Sequence, residues 1–191
     1  MNKKNRKIIG KKADNRSNLC IVEHSLSRIQ VNMHHIEFDT PLGHMVAIAD
    51  ERHLTGLYYR DQKNLPDLTV SKPAKDHPVL LQTQEQLAQY FAGQRQRFSL
   101  PLRVQATAFQ SQVLDHLQQV GPGTTLSYKD IAERIGKPKS VRAVANAIAR
   151  NPLIIVIPCH RVIGIKGELR GFAAGIERKK ALLEQEGCKV V

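Results

Sequence analysis

The segment "NPLIIVIPCHRVIG", residues 151–164, sets a cysteine and a histidine side by side at the end of an apolar run. A cysteine attacks as its thiolate, and an ordinary thiol pKa of about 8.5 leaves only a few per cent ionised at neutral pH. A base next to Cys159 removes that limit. His160 can take the proton, and a carboxylate on its other ring nitrogen would fix the tautomer and favour the imidazolium. Adjacent residues on an extended chain point to opposite faces, so Cys159 and His160 on a strand need a bridging water. The bland alternative is a small buried thiol beside a histidine that satisfies a backbone carbonyl. Eight histidines are present, His34 and His35 among them, yet no CxxC or HxxxH spacing accompanies Cys159, so no metal site is assigned and no cofactor is expected.

The elements that must hold this pair come from the rest of the chain. Its 191 residues suffice for one large domain or two small ones. Three scattered cysteines do not make a disulfide framework and point to reduced thiols inside the cell, and no apolar run approaches a membrane span, so a cytoplasmic protein is expected. Residues 1–30 are basic and poor in aromatics, without the apolar core of a secretory signal, and read as a mobile arm. From His34, "HIEFDTPLGHMVAIADERHLTGLYYRD" carries short apolar runs broken at "DTPLG" and "ADERHLTG", the pattern of a small antiparallel sheet. "NLPDLTVSKPAKDHP" reads as loop. "VLLQTQEQLAQYFAGQ" places Leu80, Gln84, Leu87 and Phe91 at helical spacing, with Gly93 as the stop signal. "RQRFSLPLRVQA" is one more extended piece. The expected class is therefore α/β (α+β): a small N-terminal sheet domain with a helix over residues 31–104, then a helical domain over 105–191.

In that second domain Thr107 and Ser127 are natural N-caps, "GPG" and Gly136 are stops, and a third helix follows Pro138 with Val141, Val144 and Ile148 on one face. Two short helices joined by "GKPK" have the form of a helix-turn-helix, whose second helix enters a DNA groove. That helix carries Ala143, Ala145, Ala147 and Ala149. Small side chains permit close approach, either to a neighbouring helix or to a minor groove about 6 Å wide. Arg142 stands at its start, either as a solvated cation or as one that projects toward a ligand. The net charge of +12 attracts polyanions, nucleic acid foremost.

"SYKDIAERIGKPKSVRAVANAIARNPLIIVIPCHRVIG", together with the downstream "GELRGFAAGIERKKALLEQEG", resembles the O6-alkylguanine-DNA alkyltransferase family, the methylated-DNA–protein-cysteine methyltransferases. The likeness runs from about Ala106 to Gly187. It implies a monomeric protein, cooperative on DNA in some settings, that acts on double-stranded DNA containing O6-alkylguanine or O4-alkylthymine. The damaged base is flipped out through the minor groove, and its alkyl group passes irreversibly to Cys159, one protein being consumed per lesion. The resemblance further implies that His160 activates Cys159 through water, that Glu186 orients His160, and that Asn151 belongs to the turn between the recognition helix and an active-site strand. Arg142 would fill the vacated stack. Ser127, Tyr128, Ala143 and Ala145 would face DNA, and Tyr128 would donate to the leaving base. Pro158, Val162, Phe172 and Lys179 would line the pocket.

This chain departs from the commoner family pattern in places. Phe172, Ala174 and Gly175 replace a tyrosine and paired glycines. Ala145 and Asn146 stand where a glycine is frequent, and Leu114 and Ala181 where tryptophans are usual. Rival readings remain distinguishable. A damage sensor would lack the acceptor cysteine. A transcription factor would carry larger polar side chains on its recognition helix. A Cys-His hydrolase would need a glycine-rich nucleophile elbow, and none surrounds Cys159.

Overall fold

The computed structural model describes residues 19–22 and 32–189. The first domain is built on β1 (Leu19–Val22), β2 (His34–Thr40), β3 (Gly43–Ala49), β4 (Leu54–Tyr59), β5 (Lys72–Pro73), helix α1 (Pro78–Phe91) and β6 (Leu102–Gln105). The second holds α2 (Ala108–Gln118), β7 (Leu126–Ser127), α3 (Tyr128–Arg134), α4 (Val141–Ala149), β8 (Val162–Ile163) and α5 (Ile176–Gln185). No helix among the described residues is long and apolar enough to cross a membrane.

The expected antiparallel sheet is formed by β2, β3 and β4, and β1, β6 and β5 extend it to the order β1-β6-β4-β3-β2-β5. Alternation along the strands sorts the faces: Phe38, Met45, Ala47, Leu57 and Tyr59 enter the core, where α1 covers them. The "TPLG" turn closes β2 onto β3, with Thr40 opposite Gly43 and the Thr40 hydroxyl donating to the Gly43 carbonyl at 2.6 Å. Most of the arm expected over residues 1–30 lies outside the described residues. Within it, Leu19–Val22 forms β1, paired in parallel with β6. "LCIV" is the most apolar and β-branched stretch of the arm, and the edge of β6 offers its backbone partners.

The loop expected over residues 64–78 is largely irregular, with a single 3-10 turn at Leu68–Val70 and the short β5. Helix α1 forms where its periodicity predicts, but its buried stripe is rotated. Leu80, Thr83, Leu87 and Tyr90 face inward, whereas Gln84 and Phe91 are only half-buried. Tyr90 turns in because it finds partners there: the Phe98 ring at 5.5 Å and a carboxylate of the second domain.

In the second domain the caps read from sequence hold. The Thr107 hydroxyl accepts from the Gln110 N–H, and Ser127 and Asp130 form a reciprocal capping box at the start of α3. Gly136 (φ +71°) stops α3 in a Schellman motif: its N–H donates to Glu133 O and that of Lys137 to Ala132 O. The chain thus turns sharply into α4, giving the expected helix-turn-helix. Val144, Ala147 and Ile148 of α4 are buried, while Arg142, Ala143, Asn146 and Ala149 are exposed.

The two domains are fastened by backbone as well as side chains. β6 pairs with β4 only at Leu54, so the Leu57 peptide is open to another partner. The Leu57 N–H donates to Pro152 O at 2.8 Å, and Ile154 N–H donates to Leu57 O at 3.3 Å. The apolar run ahead of Cys159 is therefore docked on the N-terminal sheet. Arg178 on α5 adds a second tie. Its Nη atoms reach both Asp61 oxygens at 2.8 and 2.9 Å, its Nε donates to Leu42 O, and its guanidinium lies 4.2 Å from the Tyr59 ring centroid.

Candidate active site

The active-site strand expected between Asn151 and Cys159 is not extended. Residues 153–157 make only isolated bridges, Leu57 to Leu153 and Ile154 to Ile157, and Ile155 is left-handed at φ 69°. The cause is Asn151, whose side chain folds the run back on itself. Its Oδ1 accepts from Leu153 N–H at 3.0 Å, and its Nδ2 donates to Ile157 O at 2.8 Å. The chain then enters a 3-10 turn over Cys159–Arg161, so Cys159 and His160 sit on a turn rather than on opposite faces of a strand.

The Cys159 thiol is 3% exposed, and Asn151 Nδ2 donates to its Sγ at 3.1 Å. Burial pushes the thiol up, whereas the Asn151 hydrogen bond and the nearby Lys179 charge pull it down; burial prevails. His160 is fully buried, and its Nε2 meets Glu186 Oε1 at 3.0 Å. Nε2 must carry the proton of that contact, which leaves Nδ1 as a lone-pair acceptor. Nδ1 is buried and has no hydrogen-bond partner among the described residues. Burial holds His160 below its ordinary value despite the Glu186 carboxylate.

Glu186 is the hub of the arrangement. As the C-cap of α5 it is fixed by a second Schellman motif, with Gly187 N–H to Glu184 O and Cys188 N–H to Leu183 O. Its Oε1 receives His160 Nε2, Arg161 Nη2 at 2.7 Å and the Tyr90 hydroxyl at 2.8 Å, and its Oε2 receives Arg161 Nε at 2.8 Å. Burial would raise this carboxyl, yet the donors from His160 and Arg161 outweigh it and bring it down to about 2. Arg161 Nη1 also donates to the Val120 carbonyl.

Lys179 is fully buried, its ammonium bonded to the carbonyls of Val162 and Arg170, and burial lowers it to about 8. The Arg170 carbonyl also accepts from the Tyr128 hydroxyl at 3.2 Å. Burial raises Tyr128, and the Cys159 charge adds to the rise. The Phe172 ring stands edge-on to His160 at 6.4 Å between centroids. Val162 and Pro158 are buried beside the turn. The structure thus brings Asn151, Cys159, His160, Glu186 and Lys179 together, with Tyr128 and Phe172 on the 164–175 side.

Arg142, Ala143 and the half-buried Ala145 lie apart from this cluster on α4, and Ser127 spends its hydroxyl on the α3 cap. Leu114 fills the core fully, and Ala181 is half-buried on α5. Tyr90 and Arg161 are the participants that sequence reasoning missed. Arg161 had a signal, being a cation next to the pair. Tyr90 had none, since its partner is 96 residues away.

A helix-turn-helix with a small-residue outer face, joined to a buried thiol and a His–Glu pair, defines a class: two-domain α/β proteins that couple a nucleic-acid reader to a nucleophilic cysteine. The family described as 6-O-methylguanine DNA methyltransferase, ribonuclease-like domain, matches residues 33–104, and the same family's DNA binding domain matches residues 108–188. A methylated-DNA–protein-cysteine methyltransferase of Bacillus subtilis is 40% identical over 76% of this chain and 89% of its own length. One from Methanosarcina acetivorans is 37% identical, covering 81% of this chain and 99% of its own. The crystal structure of Mycobacterium tuberculosis OGT in complex with DNA is 39% identical, covers 81% of this chain and 93% of its own, and superposes with a TM-score of 0.76. This chain belongs to the 6-O-methylguanine DNA methyltransferase family.

Proposed function

We propose that the protein repairs alkylated duplex DNA by moving the alkyl group of O6-alkylguanine irreversibly to Cys159 Sγ, with O4-alkylthymine as a second substrate. The observation that carries this reading is the pairing of a buried thiol, held by an Asn151 donor, with a histidine whose Nε2 is tied to Glu186 and whose Nδ1 has no hydrogen-bond partner among the described residues.

The steps balance without a cofactor. The Cys159 proton passes through a bridging water to His160 Nδ1. The thiolate attacks the alkyl carbon in line, the C–O6 bond breaks, and its electron pair stays on guanine. The proton held by His160 ends on the base, which leaves as ordinary guanine. Asn151 and the Lys179 charge offset the developing thiolate, and the Tyr128 hydroxyl exchanges its carbonyl partner for the leaving base. A thioether has no easy return path, so each molecule acts once. Pro158, Val162 and Phe172 wall the pocket. A reduced, cytoplasmic setting suits such a thiol, and the protein acts as a monomer that can bind cooperatively along DNA.

Arg142 is exposed at the start of α4, beside Ala143 and near Ala145, as a minor-groove finger requires. Ser127 contributes by capping α3 beneath that surface. The test is intact mass after incubation with duplex DNA bearing O6-methylguanine. The expected result is a gain of one methyl per molecule, mapped to Cys159. Tight binding without a mass change would instead establish a sensor, and repeated turnover would refute the suicide transfer.

The finger role makes its own prediction. Flipping costs a few kcal/mol, and losing about 1.4 kcal/mol of support costs about tenfold in rate. Arg142→Ala should therefore slow repair of duplex DNA by about tenfold or more, with transfer from the free base nearly unchanged. Single-turnover rates on the two substrates check it, and equal losses would contradict the role.

A further inference from the structure

Glu186 is gripped from the other domain as well as from its own. Tyr90, on the last turn of α1, is only 3% exposed, and its hydroxyl donates to the same Oε1 that His160 Nε2 uses. The Tyr90 carbonyl accepts from Gln185 Nε2 at 2.7 Å, so both the backbone and the side chain of this one residue bind the end of α5. Its ring is held between Phe91 and Phe98, at 5.4 and 5.5 Å between centroids. Burial and the adjacent Glu186 charge both raise the phenol, which therefore keeps its proton and acts as a donor.

From this geometry we infer that Tyr90 is a positioning residue for the transfer reaction: its hydroxyl, supplied by the N-terminal domain, fixes the Glu186 carboxylate and through it the ring of His160. The inference rests on the relay proposed above and deepens it. The groups that face Glu186 and His160 are Arg161 from the same turn, Lys179 and Cys188 from α5 and its end, Cys159, and Tyr90 from α1. Among these, Tyr90 is the neutral donor that competes with His160 for one oxygen.

The sign of its effect follows. Each hydrogen bond to Oε1 spreads the carboxylate charge and weakens its hold on an imidazolium. Without the phenol, Glu186 attracts the imidazolium more strongly and His160 takes up a proton at higher pH. Neutral His160 is the form that accepts the thiol proton, so the acid side of the pH–rate profile moves upward. A stronger donor at the same place moves it downward.

The experiment is the pH dependence of single-turnover methyl transfer from an O6-methylguanine duplex, measured on the full chain. In Tyr90→Phe, which keeps the ring and its packing, the acid limb should rise by half a pH unit or more, and the plateau rate above that limb should fall about threefold to tenfold because the His160 ring is held less firmly. If Tyr90→Phe folds too poorly to assay, 3-fluorotyrosine placed at position 90 keeps the shape and strengthens the donor, and its acid limb should fall. A limb that stays in place in either protein overturns the inference, because a purely structural tyrosine would lower the amount of folded protein without moving the profile. If the parent chain transfers no methyl to Cys159, the underlying reading fails instead, so the two failures are distinguishable.

Discussion

Asn151→Asp should capture methyl groups about 10²–10³-fold more slowly than the parent, as expected for loss of one preorganised donor at a developing charge. The exchange is nearly isosteric. An aspartate oxygen can still accept from Leu153 N–H, as Asn151 Oδ1 does at 3.0 Å. What it cannot do at neutral pH is donate to Cys159 Sγ, where Nδ2 now stands at 3.1 Å, or to Ile157 O at 2.8 Å. It sets its second oxygen against the sulfur and the Ile157 carbonyl instead. Burial already pushes this thiol up, and a negative neighbour raises it further. Alkylation of Cys159 by iodoacetamide as a function of pH should show its inflection displaced upward, in parallel with the fall in single-turnover transfer. Asn151→Ala separates chemistry from architecture. It leaves the buried Leu153 N–H without its acceptor, at about 1–3 kcal/mol, beside the left-handed Ile155, while the Ile157 carbonyl keeps the Cys159 N–H at 2.8 Å. Its melting temperature should therefore fall below that of the parent. Transfer by Asn151→Asp within threefold of the parent would show that the donor is dispensable.

The contrast between Asn151 and Tyr90 marks how far the residue order can be read. Ser127, Thr107 and Gly136 announce helix ends because capping is local chemistry, decided within four residues. Strands β2 to β4 announce themselves by alternation, and α4 by the period of Val144 and Ile148. Cys159 and His160 announce themselves as neighbours, but Glu186 could be joined to them only through a family likeness, since no spacing rule links a turn to the end of a helix 26 residues later. The run before Cys159 misled in the ordinary way. Five β-branched or leucine residues suggest a strand, yet one asparagine supplies enough hydrogen bonds to fold them into a turn, and Leu57 of the other domain takes up a backbone position that a strand neighbour would have held. The rotation of the α1 stripe has the same origin. Helical period fixes a face only to within about one residue when both flanks are mixed, and here the decision fell to Tyr90 finding a carboxylate across the domain boundary.

Removing that carboxylate should have the broadest consequence. In Glu186→Gln, Arg161 and the His160 Nε2 proton lose a charged acceptor inside the protein, where the side chains of all three are nearly inaccessible. Breaking a buried pair by deleting one partner costs about 3–5 kcal/mol. Methyl transfer should drop by about 10²-fold or more as His160 loses its orientation, in line with other losses of an electrostatic anchor. The stability effect carries a pH signature. The folded carboxyl lies at about 2, below its ordinary 4.5, so the unfolded chain binds the proton first as pH falls. Its contribution is complete above pH 4.5 and disappears as pH drops toward 2; a gap of that size corresponds to roughly 3 kcal/mol. Asp50, Asp61 and Asp130 are also held low and will steepen the acid melting of both proteins alike. The difference between parent and Glu186→Gln therefore isolates Glu186 together with its partner His160. Melting temperatures measured from pH 7 to pH 3 should diverge most above pH 5 and converge toward pH 3. A difference that stays constant over that range would mean that the charge on Glu186, as opposed to its mere presence, does not hold the site together.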